Sequence, residues 1–168
     1  MGTIKQVKEK FERAYNALPR AIADKVMQTQ DVLLDLNRDQ LLSGRNADGE
    51  TITPSYTQDP FFKSREQAER YLKIKQGLES EHKGRMRFVQ LCPEKGSDTP
   101  NLIVNGRLFH NYFFIKVTNE AYKIGSTGEA AADIESKYNN RVFGLAPKSK
   151  EFYYFGFIRP LIKELYTE

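Results

Sequence analysis

The chain has little of what marks a covalently stapled or catalytic protein. Of its 168 residues only Cys92 is a cysteine, so no intrachain disulfide can form and a disulfide-built secreted scaffold is excluded. No staple is needed either, because a chain of this length buries roughly 70% of its unfolded surface. His82 and His110 are the only histidines, and neither Cys-x-x-Cys nor His-x-x-x-His occurs, which removes the short-spaced ligand sets that hold zinc. The phosphate-cradling Gly-x-x-x-x-Gly-Lys and the nucleophile turn Gly-x-Ser-x-Gly are both missing. No apolar run approaches the roughly 18 residues that span a bilayer. The opening Met-Gly-Thr-Ile-Lys-Gln-Val-Lys lacks the apolar core of a signal peptide. The expectation is a soluble, cytoplasmic chain with no membrane partner.

The residues that remain give no catalytic constellation. Acids are scattered among lysines, so no carboxylate pair stands out. Cys92 beside a histidine would make a nucleophile, but a lone cysteine next to an apolar strand reads better as a small core residue. Asn46, Asp48 and Glu50 resemble the start of a calcium loop, yet the ladder is incomplete and has no glutamate at its twelfth position. We therefore expect no enzyme, no cofactor and no metal.

Charge and aromatic residues are unevenly placed. Residues 61–87 carry eight basic side chains against four acidic ones, an excess equal to the net charge of +4 of the whole chain. Such a stretch suits a phosphate backbone or an acidic partner, or equally a solvated helix face with ion pairs. Its candidate DNA- or partner-facing residues are Lys63, Arg65, Lys83, Arg85 and Arg87. Twelve of the twenty aromatics lie between Phe109 and Phe157. Aromatics beside Arg107 and Lys116 suit single-stranded nucleic acid, whereas strand alternation and the run Phe152-Tyr-Tyr-Phe-Gly-Phe157 put at least half of them in a core.

Periodicity divides the chain into helix first and sheet later. Ile4, Val7, Phe11, Ala14 or Tyr15, and Leu18 repeat at helical spacing, and Pro19 suits the first turn of a second helix running to about Leu42. That helix is apolar around most of its girth: Ile22, Val26, Leu33 and Leu36 form one stripe, and Met27, Leu34 and Leu41 widen it. Gly44 is its stop. Residues 44–60 have the chemistry of a mobile polar loop, reversed at Asp48-Gly49 and denied helix by Pro54 and Pro60. Ser64-Arg-Glu-Gln67 opens a third helix that Gly77 should end, with Tyr71, Leu72 and Leu78 inward. A short strand is expected over 86–91 and a loop over 93–100. Asn105-Gly106 suits a hairpin, and Tyr112–Thr118 and Tyr122–Gly125 read as strands joined at Asn119-Glu120. A helix over 129–138 should stop at Asn139-Asn140, followed by an extended Val142–Leu145 and a helical tail in which Pro160 starts or kinks the last segment. One α+β domain over 1–168 follows: long N-terminal helices on a small antiparallel sheet, with a C-terminal helix.

Two resemblances bear on function. Tyr122-Lys-Ile-Gly-Ser-Thr127 resembles half of the motif of GIY-YIG nucleases, but Phe113-Phe-Ile-Lys116 is not the matching strand, and the helix after it lacks the family's arginine. The wider order of features resembles another group. Gln40-Leu-Leu-Ser-Gly-Arg-Asn-Ala-Asp-Gly-Glu-Thr-Ile-Thr-Pro-Ser-Tyr56 closes a long helix. Asn101-Leu-Ile-Val-Asn-Gly-Arg-Leu-Phe109 precedes an aromatic strand, and Ile134-Glu-Ser-Lys-Tyr-Asn-Asn-Arg-Val-Phe-Gly-Leu145 leads into a last helix. This set, over about residues 22–165, resembles the tail-completion and head–tail joining proteins of tailed bacteriophages, in the flavour of phages and prophages of Bacteroides-type hosts. The resemblance implies a structural virion protein, assembled in the host cytoplasm into a homo-oligomeric ring (six-fold or twelve-fold) at the neck or tail end. Other neck, portal-adaptor or tail proteins would be its partners, and packaged DNA would pass nearby without sequence-specific binding. Met27, Leu34, Leu41, Arg107 and Phe109 are the candidates for its subunit interface. The alternatives are a DNA-binding accessory or regulatory protein, and a degenerate GIY-YIG-like nuclease.

Overall fold

A computed structural model describes residues 3–83, 86–102, 113–118, 121–127, 131–139 and 141–167. The first helix, α1, spans Ile4–Gln28 and starts on a reciprocal cap: Thr3 Oγ1 accepts from the Gln6 amide at 3.3 Å, and the Thr3 amide donates to Gln6 Oε1 at 2.8 Å. Pro19 does not break it. The proline lies inside the helix on an exposed face, where its missing N–H costs one hydrogen bond and leaves a carbonyl acceptor that water can reach. The break comes at Thr29, whose hydroxyl donates back to the Lys25 carbonyl at 2.7 Å and meets the Tyr153 hydroxyl at 2.7 Å. With its one proton spent on Lys25, Thr29 accepts from Tyr153, so the joint is locked by a residue 124 positions away.

The next helix, α2 (Gln30–Leu42), is the centre of the fold. Val26, Val32, Leu33 and Leu36 pack with Phe88, Ile124, Leu145 and Tyr153 in one cluster. Leu41 and Leu42 pack with Ile52, Leu102 and Val142 in another. At its end Gly44 takes φ +66°. The Gly44 amide donates to the Leu41 carbonyl and the Arg45 amide to the Gln40 carbonyl, satisfying carbonyls that the helix leaves open. A Cβ at Gly44 would lie 2.4 Å from Thr99 Cγ2, so glycine is needed for closeness as well as for φ.

The 44–60 segment folds down against the rest of the chain. Asn46 Oδ1 accepts from the Asp48 and Glu50 amides at 3.0 and 2.9 Å, Gly49 turns at φ +82°, and Arg45 pairs with Thr51 across the reversal. Arg141 holds the tip through Asp48 at 3.2 Å and Glu50 at 3.9 Å, while Ile52 and Tyr56 are buried. The Thr53–Pro54 peptide is cis.

Helix α3 (Arg65–Lys83) is capped as expected, with Ser64 Oγ accepting from the Gln67 amide at 3.3 Å. It runs through Gly77 instead of stopping there. Nothing lies within 4 Å of that glycine's missing side chain, so the cost is the propensity penalty of roughly 1 kcal/mol. The strand expected over 86–91 is a short 3-10 turn, Val89–Leu91. Asp39 explains it: its Oδ2 accepts from the Arg87 and Phe88 amides at 2.8 and 2.6 Å, taking amides that a strand would pair.

Strands β1 (Phe113–Val117) and β2 (Tyr122–Ser126) form an antiparallel pair with Ile115 opposite Ile124 and Val117 opposite Tyr122. The pair packs on α1 and α2. The Asn105-Gly106 hairpin, Asn119-Glu120, Arg107 and Phe109 lie outside the described residues. Helix α4 (Ala131–Lys137) ends where Asn139 takes φ +56°. Residues 142–144 bend instead of extending, with Gly144 at φ +134°. The Gly144 carbonyl takes hydrogen bonds from Asn37 Nδ2 at 2.7 Å and Gln40 Nε2 at 3.0 Å.

The tail is helical as α5 (Pro147–Tyr153), a π-helical turn Tyr154–Ile158, and α6 (Arg159–Thr167). In the wide turn the Arg159 amide reaches back five residues to the Tyr154 carbonyl. Widening there keeps the ring of Pro160 off the carbonyl four residues before it. The fold is α+β, as the sequence pattern predicts.

Candidate subunit interface

Among the described residues the basic stretch is not all exposed. Lys63 and Arg65 are exposed before and at the start of α3, and Arg65 Nε bonds Glu69 at 2.9 Å. Lys75, counted in the same stretch, is buried at 2% exposure. Arg87 is exposed, with one guanidinium nitrogen 3.4 Å from Asp35 and the guanidinium over the Phe88 ring. Asp35 also holds Arg38 at 3.0 Å, so the two arginines share one carboxylate. Arg85 and the Lys83 side chain lie outside the described residues.

An aromatic chain runs inward from that end of α3. Phe61, 79% exposed, meets Phe62 edge-on, Phe62 meets Tyr71, and Tyr71 meets Tyr56. Lys75 Nζ closes the chain, 5.3 Å from the Tyr71 centroid and 5.9 Å from that of Tyr56. Burial lowers its pKa to about 8. Burial likewise pushes the Tyr138 phenol up to about 12, with further contributions from Asp59 and Tyr71. Asp59, itself 8% exposed, is ion-paired to Lys137. The alternation of charge along α3 hid Lys75, whereas the spacing Ala68, Tyr71, Lys75 was a signal that could have placed it inward.

Among the described residues no group of three His, Cys, Asp or Glu is placed to hold a metal ion. Cys92 is half-buried, and burial pushes its thiol up, the opposite of what an activated nucleophile needs. The nuclease-like fragment is strand β2, and its Tyr122 is half-buried with the ring against Tyr153.

The expected interface residues divide. Leu41 is completely buried in the second core cluster, which removes it from any subunit contact. Leu34 packs half-buried against the first cluster, and Met27 is 49% exposed. The apolar period of the first helix is the exposed part. On the first half of α1, Ile4 is 89%, Val7 49%, Phe11 54% and Tyr15 70% exposed. One flank is covered by α6: Phe11 meets Tyr166 at 5.4 Å, and Lys10 Nζ donates to the Thr167 carbonyl at 2.8 Å. Ala14 is buried. The two helices form an arm whose shared apolar stripe has one open side. Charges beside the stripe pair within the helix, Lys5 with Glu9 and Lys8 with Glu12.

Further along α1 the same side of the helix lines a groove of about 570 Å³, shared with the β1–β2 pair and residues 143–145. Its base is Val26, Ile124 and Leu145, all nearly fully buried. Compared with known proteins, the chain matches no family model, no curated protein and no solved structure.

Proposed function

We propose that the chain is a structural subunit of a tailed-phage virion, built into the ring that forms or completes the head–tail joint, with the α1–α6 arm as its subunit contact. The observation that carries this reading is the open stripe of Ile4, Val7, Phe11 and Tyr15. Two amphipathic helices sharing one uncovered apolar side are part of a bundle that needs more helices. Contiguous apolar surface of a few hundred Å² marks an interaction site. The order of motifs from Gln40 to Leu145 supports the phage assignment. Lys63, Arg65 and Arg87 are exposed and stand as candidates for contact with passing DNA.

Deleting the gene from its parent phage and imaging the lysate tests the proposal. Filled heads beside separate tails, or tails of abnormal length, are expected. Wild-type protein supplied in trans should restore particles, and a Phe11→Glu/Tyr15→Glu variant should not. Normal infectious particles from the deletion phage would overturn the assignment.

A further inference from the structure

Arg45 is half-buried, yet among the described residues no carboxylate pairs with it. Its Nη1 donates to Thr51 Oγ1 at 2.8 Å, and its Nε is buried without a partner. Nη1 sits beside the arginine's own Cδ, so the uncommitted edge of the guanidinium is Nε with Nη2. That edge is the fork that takes an oxyanion through two parallel hydrogen bonds. A guanidinium drawn partly out of water without a counter-charge is costly, and buried donors are normally satisfied. Arg45 lines a cavity of about 330 Å³ formed by the end of α2, the reversal at Gly49, the turn at Leu91–Pro93 and the start of α5. Ser149 lines it too, 5% exposed, and its hydroxyl has no partner among the described residues. Lys148 stands at the same cavity, exposed and without an ion pair among those residues. Asp48 is the acid in the lining, and Arg141 neutralises it at 3.2 Å. Cys92 adds no charge, because burial raises its thiol. The cavity therefore presents two uncompensated cations and a free hydroxyl beside the apolar Leu91, Pro93, Ala146 and Pro147.

We propose that this cavity binds a small organic phosphate ester, with Arg45 as the fork on the phosphate, Lys148 as a second cation and Ser149 as a hydroxyl donor. The inference is independent of the virion assignment and of the α1–α6 arm. Two cations match the charge of a phosphate monoester, about −1.5 to −2 at pH 7, better than the single charge of a carboxylate. The volume is at the lower end of the ~300–1,000 Å³ of small-molecule pockets. A bare phosphate would leave much of it empty, whereas an ester body of modest size would rest on Leu91, Pro93, Ala146 and Pro147.

Calorimetric titration of the full chain with phenyl phosphate tests this. A Kd below about 1 mM is expected, with inorganic phosphate and benzoate each about tenfold weaker or more, since each supplies one part of the match. Arg45→Lys keeps the charge and removes the fork, and should weaken phenyl phosphate by about tenfold or more. Lys148→Ala, at an exposed site outside the core, should weaken it by about threefold. Lys73→Ala, an exposed cation on α3 away from the cavity, should leave binding unchanged. In nitrogen-15 spectra of the wild type, a readout that needs no variant, the amides of Gly49, Cys92 and Ser149 should move during the titration. Unmoved amides there, or no heat up to about 10 mM phenyl phosphate, would overturn the site. So would Arg45→Lys binding like wild type, or Lys73→Ala weakening binding as much as Lys148→Ala. Inorganic phosphate or benzoate binding as tightly as phenyl phosphate would overturn the phosphate ester as the ligand.

Discussion

At 2% exposure, with its ammonium 5.3 Å from one tyrosine ring and 5.9 Å from another, Lys75 holds a charge almost out of reach of water. Asp39 is nearly as buried, and burial raises its pKa, but two backbone amides compensate its carboxylate. Among the described residues Lys75 has the faces of Tyr71 and Tyr56, each worth ~1–2 kcal/mol to a desolvated cation. A lysine lowered from 10.5 to about 8 gives up its proton in the folded chain while the unfolded chain still holds it. Stability therefore rises with pH between those two values, and the penalty is present in full below about 8. The gap corresponds to ~3 kcal/mol. Beyond 10 the sign reverses, since burial also raises Tyr71, Tyr122, Tyr138 and Tyr153, and the unfolded chain ionises first. Lys75→Met should leave stability at pH 7 within about 1 kcal/mol of wild type, since the ~3 kcal/mol of desolvation it relieves is offset by the ~2–4 kcal/mol of the two ring contacts it loses, and should flatten the slope from pH 8 to 10. Urea unfolding across that range measures both. A less stable Met variant with an unchanged slope would mean that the rings outweigh desolvation.

Elements that obey local rules were legible in the sequence, and those set by distant partners were not. The Ser64 cap, the Gly44 stop, the Asp48-Gly49 reversal and the Asn139 stop each follow from one residue's conformational preference, and all four occur. The break between α1 and α2 depends on Tyr153, and the lost strand over 86–91 on Asp39, neither of which neighbouring residues reveal. At the candidate interface, the stripe of α1 was visible as a period but not as exposed, because periodicity gives a face without saying what covers it. Pro19 shows the same limit: it reads as a helix start, yet helix packing on either side carries α1 through it. Since its face is exposed, Pro19→Ala restores a hydrogen bond to the Tyr15 carbonyl at no steric cost. The gain of up to ~3 kcal/mol in the helix is reduced by ~0.4–1 kcal/mol of entropy returned to the unfolded chain. A stabilisation of about 2 kcal/mol is expected in thermal melts. A loss would show that the β1–β2 pair requires a bend at this point.

Over the whole molecule, burial falls steeply along α1, from Val26 at 1% to Ile4 at 89%, while α2 is buried on nearly all sides. A single helix thus joins a well-packed centre to an arm against which, among the described residues, α6 packs. Local opening follows packing rather than secondary structure. Amides of residues 7–16 should therefore exchange with deuterium through fraying of the arm, orders of magnitude faster than those of residues 32–42, which require global unfolding. If the arm is the subunit contact, association should protect residues 7–16 strongly and leave 32–42 unchanged. The apparent melting temperature should rise with protein concentration, because binding stabilises only the folded form. The interface is apolar and its neighbouring charges are paired within α1, so raising salt should weaken association little. Hydrogen exchange followed by peptide mass analysis, at dilute and concentrated protein, gives the profile directly. Equal protection of the two segments in dilute protein would mean that the arm is held by the fold itself and has no need of a neighbour.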